Sequence, residues 1–232
     1  MDTGNKNPLE TRFSAVSDRI RAAEAAADRP VGSVSLLAVS KGQTANSVDA
    51  LAALGQRRFG ESYLQEALDK RNQVTDTGLE WHFIGPIQSN KTRGIAECFD
   101  WVQSVDRPKI LKRLNDQRPK ALPPLQVCLQ VNISGEAQKS GVDPDQIEVL
   151  VREASGYSRL RLRGLMTIPA PSDDPARLRE TFAAVRRLFE SLRDAGHELD
   201  TLSMGMSADL EQAVAEGATL VRVGTALFGP RG

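Results

Sequence analysis

The stretch Ser35-Leu36-Leu37-Ala38-Val39-Ser40-Lys41 decides how the rest of the chain is read. With Val34 it makes an apolar run of strand length that stops on a lysine. A run apolar at successive positions is a strand buried on both faces of a sheet. A cation directly after it sits at the strand's carboxyl end, where α/β folds place their ligands. Such a lysine can be an ordinary solvated strand end. Desolvated, it can lose its proton and attack a carbonyl carbon.

Working outward, the pattern alternates. An Ala- and Arg-rich amphipathic helix over residues 9–27 precedes the strand, and residues 1–8 read as a disordered tail. Further strands are expected at 57–60, 80–85, 100–105, 125–133, 160–168, 201–204 and 219–223. Helices are expected between them, at about 44–55, 61–73, 89–98, 107–117, 144–154, 175–195 and 208–216, with Gly55, Gly196 and Gly217 as stops. Alternation of this kind implies a parallel sheet. Eight strand–helix units in 232 residues fit a single-domain (β/α)8 TIM barrel with an extra N-terminal helix. A doubly wound open sheet is the alternative. It would carry a Gly-rich turn after its first strand, where this chain has Lys41-Gly42-Gln43.

Bulk properties narrow the function. Thirty basic and thirty acidic residues cancel, which speaks against a general nucleic-acid binder. Arg159, Arg161 and Arg163 alternate with leucines and read as one outward strand face. Cys98 and Cys128 make neither a metal spacing nor a disulfide framework, and they suit a reduced, cytoplasmic protein. No run approaches the ~20 apolar residues of a membrane span, and the polar N-terminus lacks a signal-peptide core. Two histidines, His82 and His197, leave little for a His-based metal site or a Ser-His-Asp triad.

In a barrel the residues after each strand converge on one face. Here they are Lys41, then Glu61, Ser62 and Tyr63, then Gly85, Pro86, Gln88, Ser89 and Asn90, then Asn132 and Ser134, then Met166 and Thr167. The last two strands give Ser203, Met204, Gly205 and Ser207, and Arg222, Gly224 and Thr225. Backbone N–H groups and hydroxyls after strands seven and eight commonly build a phosphate site. Turn glycines and helix caps would look the same. Arg222 shares a strand side with Leu220 and Gly224, so inside a barrel it needs a partner. That partner is either a carboxylate such as Glu61 or a ring-nitrogen acceptor on a ligand. Lysine, phosphate cradle and inward arginine together suggest pyridoxal 5′-phosphate, held as a Schiff base. A Schiff-base aldolase acting on sugar phosphates would need a similar set.

The motifs AVSK (Ala38 to Lys41), FGESY (Phe59 to Tyr63) and WHFIGPIQSNK (Trp81 to Lys91) occur together with VNISGEAQKSG (Val131 to Gly141). GLMTIP (Gly164 to Pro169), LSMGMSADLEQAV (Leu202 to Val214) and VRVGTALFG (Val221 to Gly229) complete the set. In this combination the chain resembles the YggS/PROSC family of pyridoxal-phosphate homeostasis proteins, from Leu36 onward. The resemblance implies the barrel of alanine racemase, with Lys41 carrying the cofactor and Arg222 facing the pyridine nitrogen. Ser207, Gly224 and Thr225 would hold the phosphate, with Ser203, Met204 and Gly205 nearby, and Asn132 and Met166 would line the ring pocket. His82, Tyr63 and Ser89-Asn90-Lys91 would form the rim. The family usually has Asn where this chain has the shorter Ser62.

The resemblance further implies a monomeric carrier or regulator of the cofactor, without robust turnover, that passes it to pyridoxal-phosphate-dependent apo-enzymes. A single-domain amino-acid racemase is the alternative. Alanine racemases draw an acid/base tyrosine from a separate β-domain, which is not expected in a chain ending at Gly232, and Tyr63 is the remaining candidate.

Overall fold

The computed structural model describes residues 7–133 and 140–230. The expectations for residues 1–6, for Ser134 and for the middle of VNISGEAQKSG lie outside the described residues. The strands are β1 (Ser35–Val39), β2 (Arg58–Glu61), β3 (Glu80–Phe83), β4 (Trp101–Val105), β5 (Leu125–Gln130), β6 (Leu160–Met166), β7 (Thr201–Ser203) and β8 (Leu220–Val223). They pair in sequence order and close into one barrel. Parallel pairing of β8 with β1, Leu37 opposite Arg222, makes the closure. The open doubly wound sheet is thereby excluded.

The helices are α1 (Pro8–Ala26), α2 (Ala45–Ala53), α3 (Leu64–Arg71), α4 (Thr92–Cys98), α5 (Pro108–Gln117), α6 (Ile147–Ser155), α7 (Pro175–Asp194), α8 (Leu210–Ala215) and α9 (Thr225–Phe228). Asn7 and Pro8, expected in a disordered tail, begin α1 instead. The Asn7 side chain accepts from Leu9 N–H, and Pro8 presets the first helical φ. β5 stops at Gln130 rather than Ile133: Val131 N–H still donates to Met166 O at 2.8 Å, but Val131 then bridges Val142 instead of continuing the strand. α9 was not expected, since Thr225-Ala226-Leu227-Phe228 is too short to show a helical period.

Alternation along each strand sorts side chains into two environments. Trp81 and Phe83, Val102, Leu202 and Met204, and Val221 and Val223 join the hydrophobic layer beneath the helices. The residues between them, His82, Gln103, Ser203 and Arg222, fill the lumen and are buried. Such lumens are usually filled by branched apolar side chains. Here the middle of the barrel is polar.

α1 packs against α8, α9 and α2. Its buried Glu24 accepts from Val34 N–H at 2.7 Å and Gly32 N–H at 3.1 Å, which ties the helix to the turn entering β1. Arg29, just past α1, donates to Val214 O and Ala218 O at 2.9 and 2.7 Å. No helix among the described residues is long and apolar enough to cross a membrane.

Candidate functional site

Lys41 follows β1 at the carboxyl end of the barrel and is half-buried. It makes no hydrogen bond or ion pair with the described residues, so its amine is available. The backbone on both sides of it is clamped. Ser40 Oγ donates to Glu61 Oε1 at 2.6 Å, and Lys70 Nζ, from α3, donates to Ser40 O at 2.7 Å. Lys70 also pairs with Glu61 and with Glu66, whose carboxylate accepts Gly42 N–H. The clamp lies between β2 and α3. Burial raises the Glu61 pKa, against the lowering effect of hydrogen bonds from Lys70 and Ser40. Glu61 was a candidate partner for Arg222 in the sequence. It serves Lys70 instead, because residue parity on β2 turns it out of the lumen.

Arg222 is 4% exposed. Its Nη1 donates to both Ser203 O and Ser203 Oγ at 2.7 Å, and its Nη2 to Thr167 O at 2.7 Å. Its Nε–H meets no acceptor among the described residues. Desolvation lowers its pKa to about 10, opposed by the charge of Asp209, so it remains a cation at neutral pH. No carboxylate hydrogen-bonds to it among the described residues, which leaves a fixed, undischarged positive group at the barrel's core.

Beyond β7 and β8 the chain turns twice. Gly205 has φ +94°, and a Cβ there would lie 2.5 Å from Ala213 Cβ, so only glycine fits against α8. Ser207 Oγ accepts Ala226 N–H at 3.4 Å, which brings the β7–α8 loop to the first turn of α9. Thr225 N–H, the first of that turn, has no acceptor among the described residues. Val39, Lys41, Gln43, Gly224, Thr225 and Gly229 line a cleft of about 50 Å³. The structure therefore brings Lys41, Gly224 and Thr225 together, and Ser207 beside them. Arg19 of α1 holds this corner from behind, donating to Ser207 O at 3.0 Å while pairing with Glu211.

Other expected site residues fall elsewhere. His82 is not at the rim. It is 0% exposed in the lumen, with Nε2 2.8 Å from Glu80 Oε1 and its ring stacked 5.1 Å from Trp101. Parity on β3 sends it inward between Trp81 and Phe83. The Met204 side chain packs in the outer hydrophobic layer, so only its backbone faces the turn. The Ser203 hydroxyl is spent on Arg222 and Gln103. Met166 packs with Trp101 and Cys128 inside the barrel, below Asn132, which is 7% exposed. Ser62 lines a mostly apolar pocket of about 300 Å³ with Tyr63, Phe83 and Lys91, where Tyr63 is 66% exposed. Thr167, expected at the strand end, serves Arg222 through its main-chain oxygen. Gln103 and Lys70 were not expected from the sequence. Their only signal there is a polar residue at an apolar strand or helix position. No group of three or more His, Cys, Asp or Glu side chains among the described residues could hold a metal ion.

Three comparisons bear on this geometry. Residues 12–232 match the family model described as alanine racemase, N-terminal domain. A Pseudomonas aeruginosa protein named pyridoxal phosphate homeostasis protein is 57% identical over 223 residues, covering 96% of each chain. An Escherichia coli protein of the same name is 46% identical over 228 residues, covering 97% of each. Among solved structures, PipY of Synechococcus elongatus with pyridoxal phosphate bound superposes with a TM-score of 0.84 at 36% identity. That match covers 95% of this chain and 100% of PipY. The chain thus belongs to the alanine racemase N-terminal-domain family and, within it, to the pyridoxal phosphate homeostasis proteins.

Proposed function

We propose that this chain holds pyridoxal 5′-phosphate at the carboxyl end of its barrel and serves the cofactor's supply rather than a catalytic cycle. The residues present suit the group. Lys41 offers an amine with no partner among the described residues on a clamped backbone, Thr225 N–H and the Ser207 hydroxyl supply donors for a phosphate, and Arg222 supplies a fixed cation. Asn132 and Met166 would flank the ring. When bound, the cofactor supplies an aldehyde carbon and an electron-accepting ring. The relatives' shared name and the cofactor bound to PipY support the reading.

Arg222 is the observation that carries it. A guanidinium that stays protonated and donates toward a ring nitrogen opposes protonation of that nitrogen, and so weakens the ring as an electron sink. Tyr63, the acid/base candidate the sequence offered at the mouth, is largely exposed. These features favour a carrier over a racemase. The same reading takes the carrier as a monomer that passes the cofactor to dependent apo-enzymes.

Titration of the full chain with pyridoxal phosphate tests the reading. The wild type is expected to develop a protein-bound visible band that Lys41→Ala lacks, and to exchange no amino-acid α-proton in D2O. A wild type that stays colourless overturns the cofactor reading, and steady α-proton exchange overturns the carrier role.

A further inference from the structure

The polar side chains of the lumen form one continuous chain. Arg222 Nη1 donates to Ser203 Oγ at 2.7 Å, and Ser203 Oγ donates to Gln103 Oε1 at 2.7 Å. The Gln103 amide nitrogen is 2.8 Å from His82 Nδ1, and His82 Nε2 is 2.8 Å from Glu80 Oε1. Gln103 on β4 and Ser203 on β7 are not sheet neighbours, so their contact crosses the lumen.

The donor and acceptor roles allow one arrangement. Gln103 Oε1 accepts from Ser203, so its NH2 faces His82 Nδ1 and donates to it. His82 therefore carries its proton on Nε2 and gives it to the Glu80 carboxylate. Burial lowers the His82 pKa, in keeping with a neutral ring. Every bond then points the same way, from the guanidinium to the carboxylate, and such chains strengthen cooperatively.

We propose that Gln103 is a positioning residue of the cofactor site: by accepting the Ser203 hydroxyl it aims the serine lone pair at Arg222, and by donating to His82 it ties that arginine to Glu80 at the far end of the barrel. A hydroxyl is the one rotatable acceptor on Arg222. The others are the main-chain carbonyls Ser203 O and Thr167 O. Without Gln103 the hydroxyl is free to turn, and the guanidinium loses an acceptor in a setting where no carboxylate among the described residues hydrogen-bonds to it. The inference rests on the cofactor reading above, in which Arg222 faces the ring.

The full chain with added pyridoxal phosphate gives the test. Gln103→Leu keeps much of the side-chain volume and removes both hydrogen bonds. It is expected to stay folded by circular dichroism, to bind the cofactor about tenfold more weakly, and to shift the visible maximum of the bound form. Ser203→Ala is expected to do the same, and the double variant to be no weaker than the weaker single one, because both break one chain. An unchanged maximum in both single variants, or additive losses in the double, overturns the proposal. Nitrogen-15 NMR of the ligand-free wild type supplies a readout that needs no cofactor. His82 is expected neutral with its proton on Nε2, and its Nδ1 resonance is expected to move in Gln103→Leu. A wild-type His82 protonated on Nδ1 overturns the chain itself. A wild type that takes up no cofactor overturns the functional reading and with it Gln103's role toward the ring, while the NMR result still decides whether the chain exists.

Discussion

Lys41 sits beside a second, buried lysine. Lys70 is 4% exposed and joins Ser40 O, Glu61 and Glu66, fixing the backbone on either side of Lys41. Lys70→Met would leave Glu61 buried without its cation. Removing one member of a buried pair costs about 3–5 kcal/mol, so we expect a loss of that order in urea unfolding, together with weaker cofactor retention. A stability within about 0.5 kcal/mol of wild type, the range of an ordinary surface change, would contradict the clamp. Cys128 shows the same residue-scale logic in reverse. Burial beneath Trp101 and Met166 pushes its thiol up to about 12. A thiol that far above neutral holds almost no thiolate, the reactive form. Ellman's reagent at neutral pH is expected to leave Cys128 unmodified until the chain unfolds, and rapid labelling of native Cys128 would show that the lumen opens.

At the scale of elements, α1 braces the corner where the β7–α8 loop meets α9. Its Arg19 bridges Glu211 of α8 and Ser207 O. The ion pair is partly exposed and worth less than about 1 kcal/mol. Arg19→Ala is therefore expected to leave the unfolding midpoint nearly unchanged while weakening phosphate binding severalfold, as read by isothermal titration with pyridoxal phosphate. Equal affinity in the variant would make α1 a packing element only. β3 carries one source of pH dependence. His82 is held neutral by burial, with Glu80, Arg58 and Asp100 as the charges facing it. Its folded pKa lies below the unfolded value of 6.5. Its contribution to stability is thus complete above 6.5 and is lost as pH falls through the folded pKa, because the unfolded chain takes up the proton first. Denaturation midpoints of the wild type are expected to fall on the acid side of 6.5 more steeply than those of His82→Gln. Parallel curves would show that His82 titrates alike in both states.

For the whole molecule, the barrel was legible because eight short strand-like stretches alternate with helical ones, and that alternation leaves few other topologies. The mouth was legible for the same reason: Lys41, Gly224 and Thr225 follow strands directly. The lumen was not. Whether His82 or Met204 faces ligand or core depends on strand parity, and a one-residue change in where a strand starts reverses it. Glu61 misled in the same way, and the Gln103–Ser203 contact joins residues a hundred apart across the barrel, a distance no local pattern encodes. The claim that organises the whole is that Lys41 holds pyridoxal phosphate at this mouth. Borohydride reduction of the cofactor-loaded chain, followed by peptide mass mapping, tests it most directly. The account predicts a single phosphopyridoxyl label on the peptide containing Lys41, and a label on another lysine, or none, would contradict it.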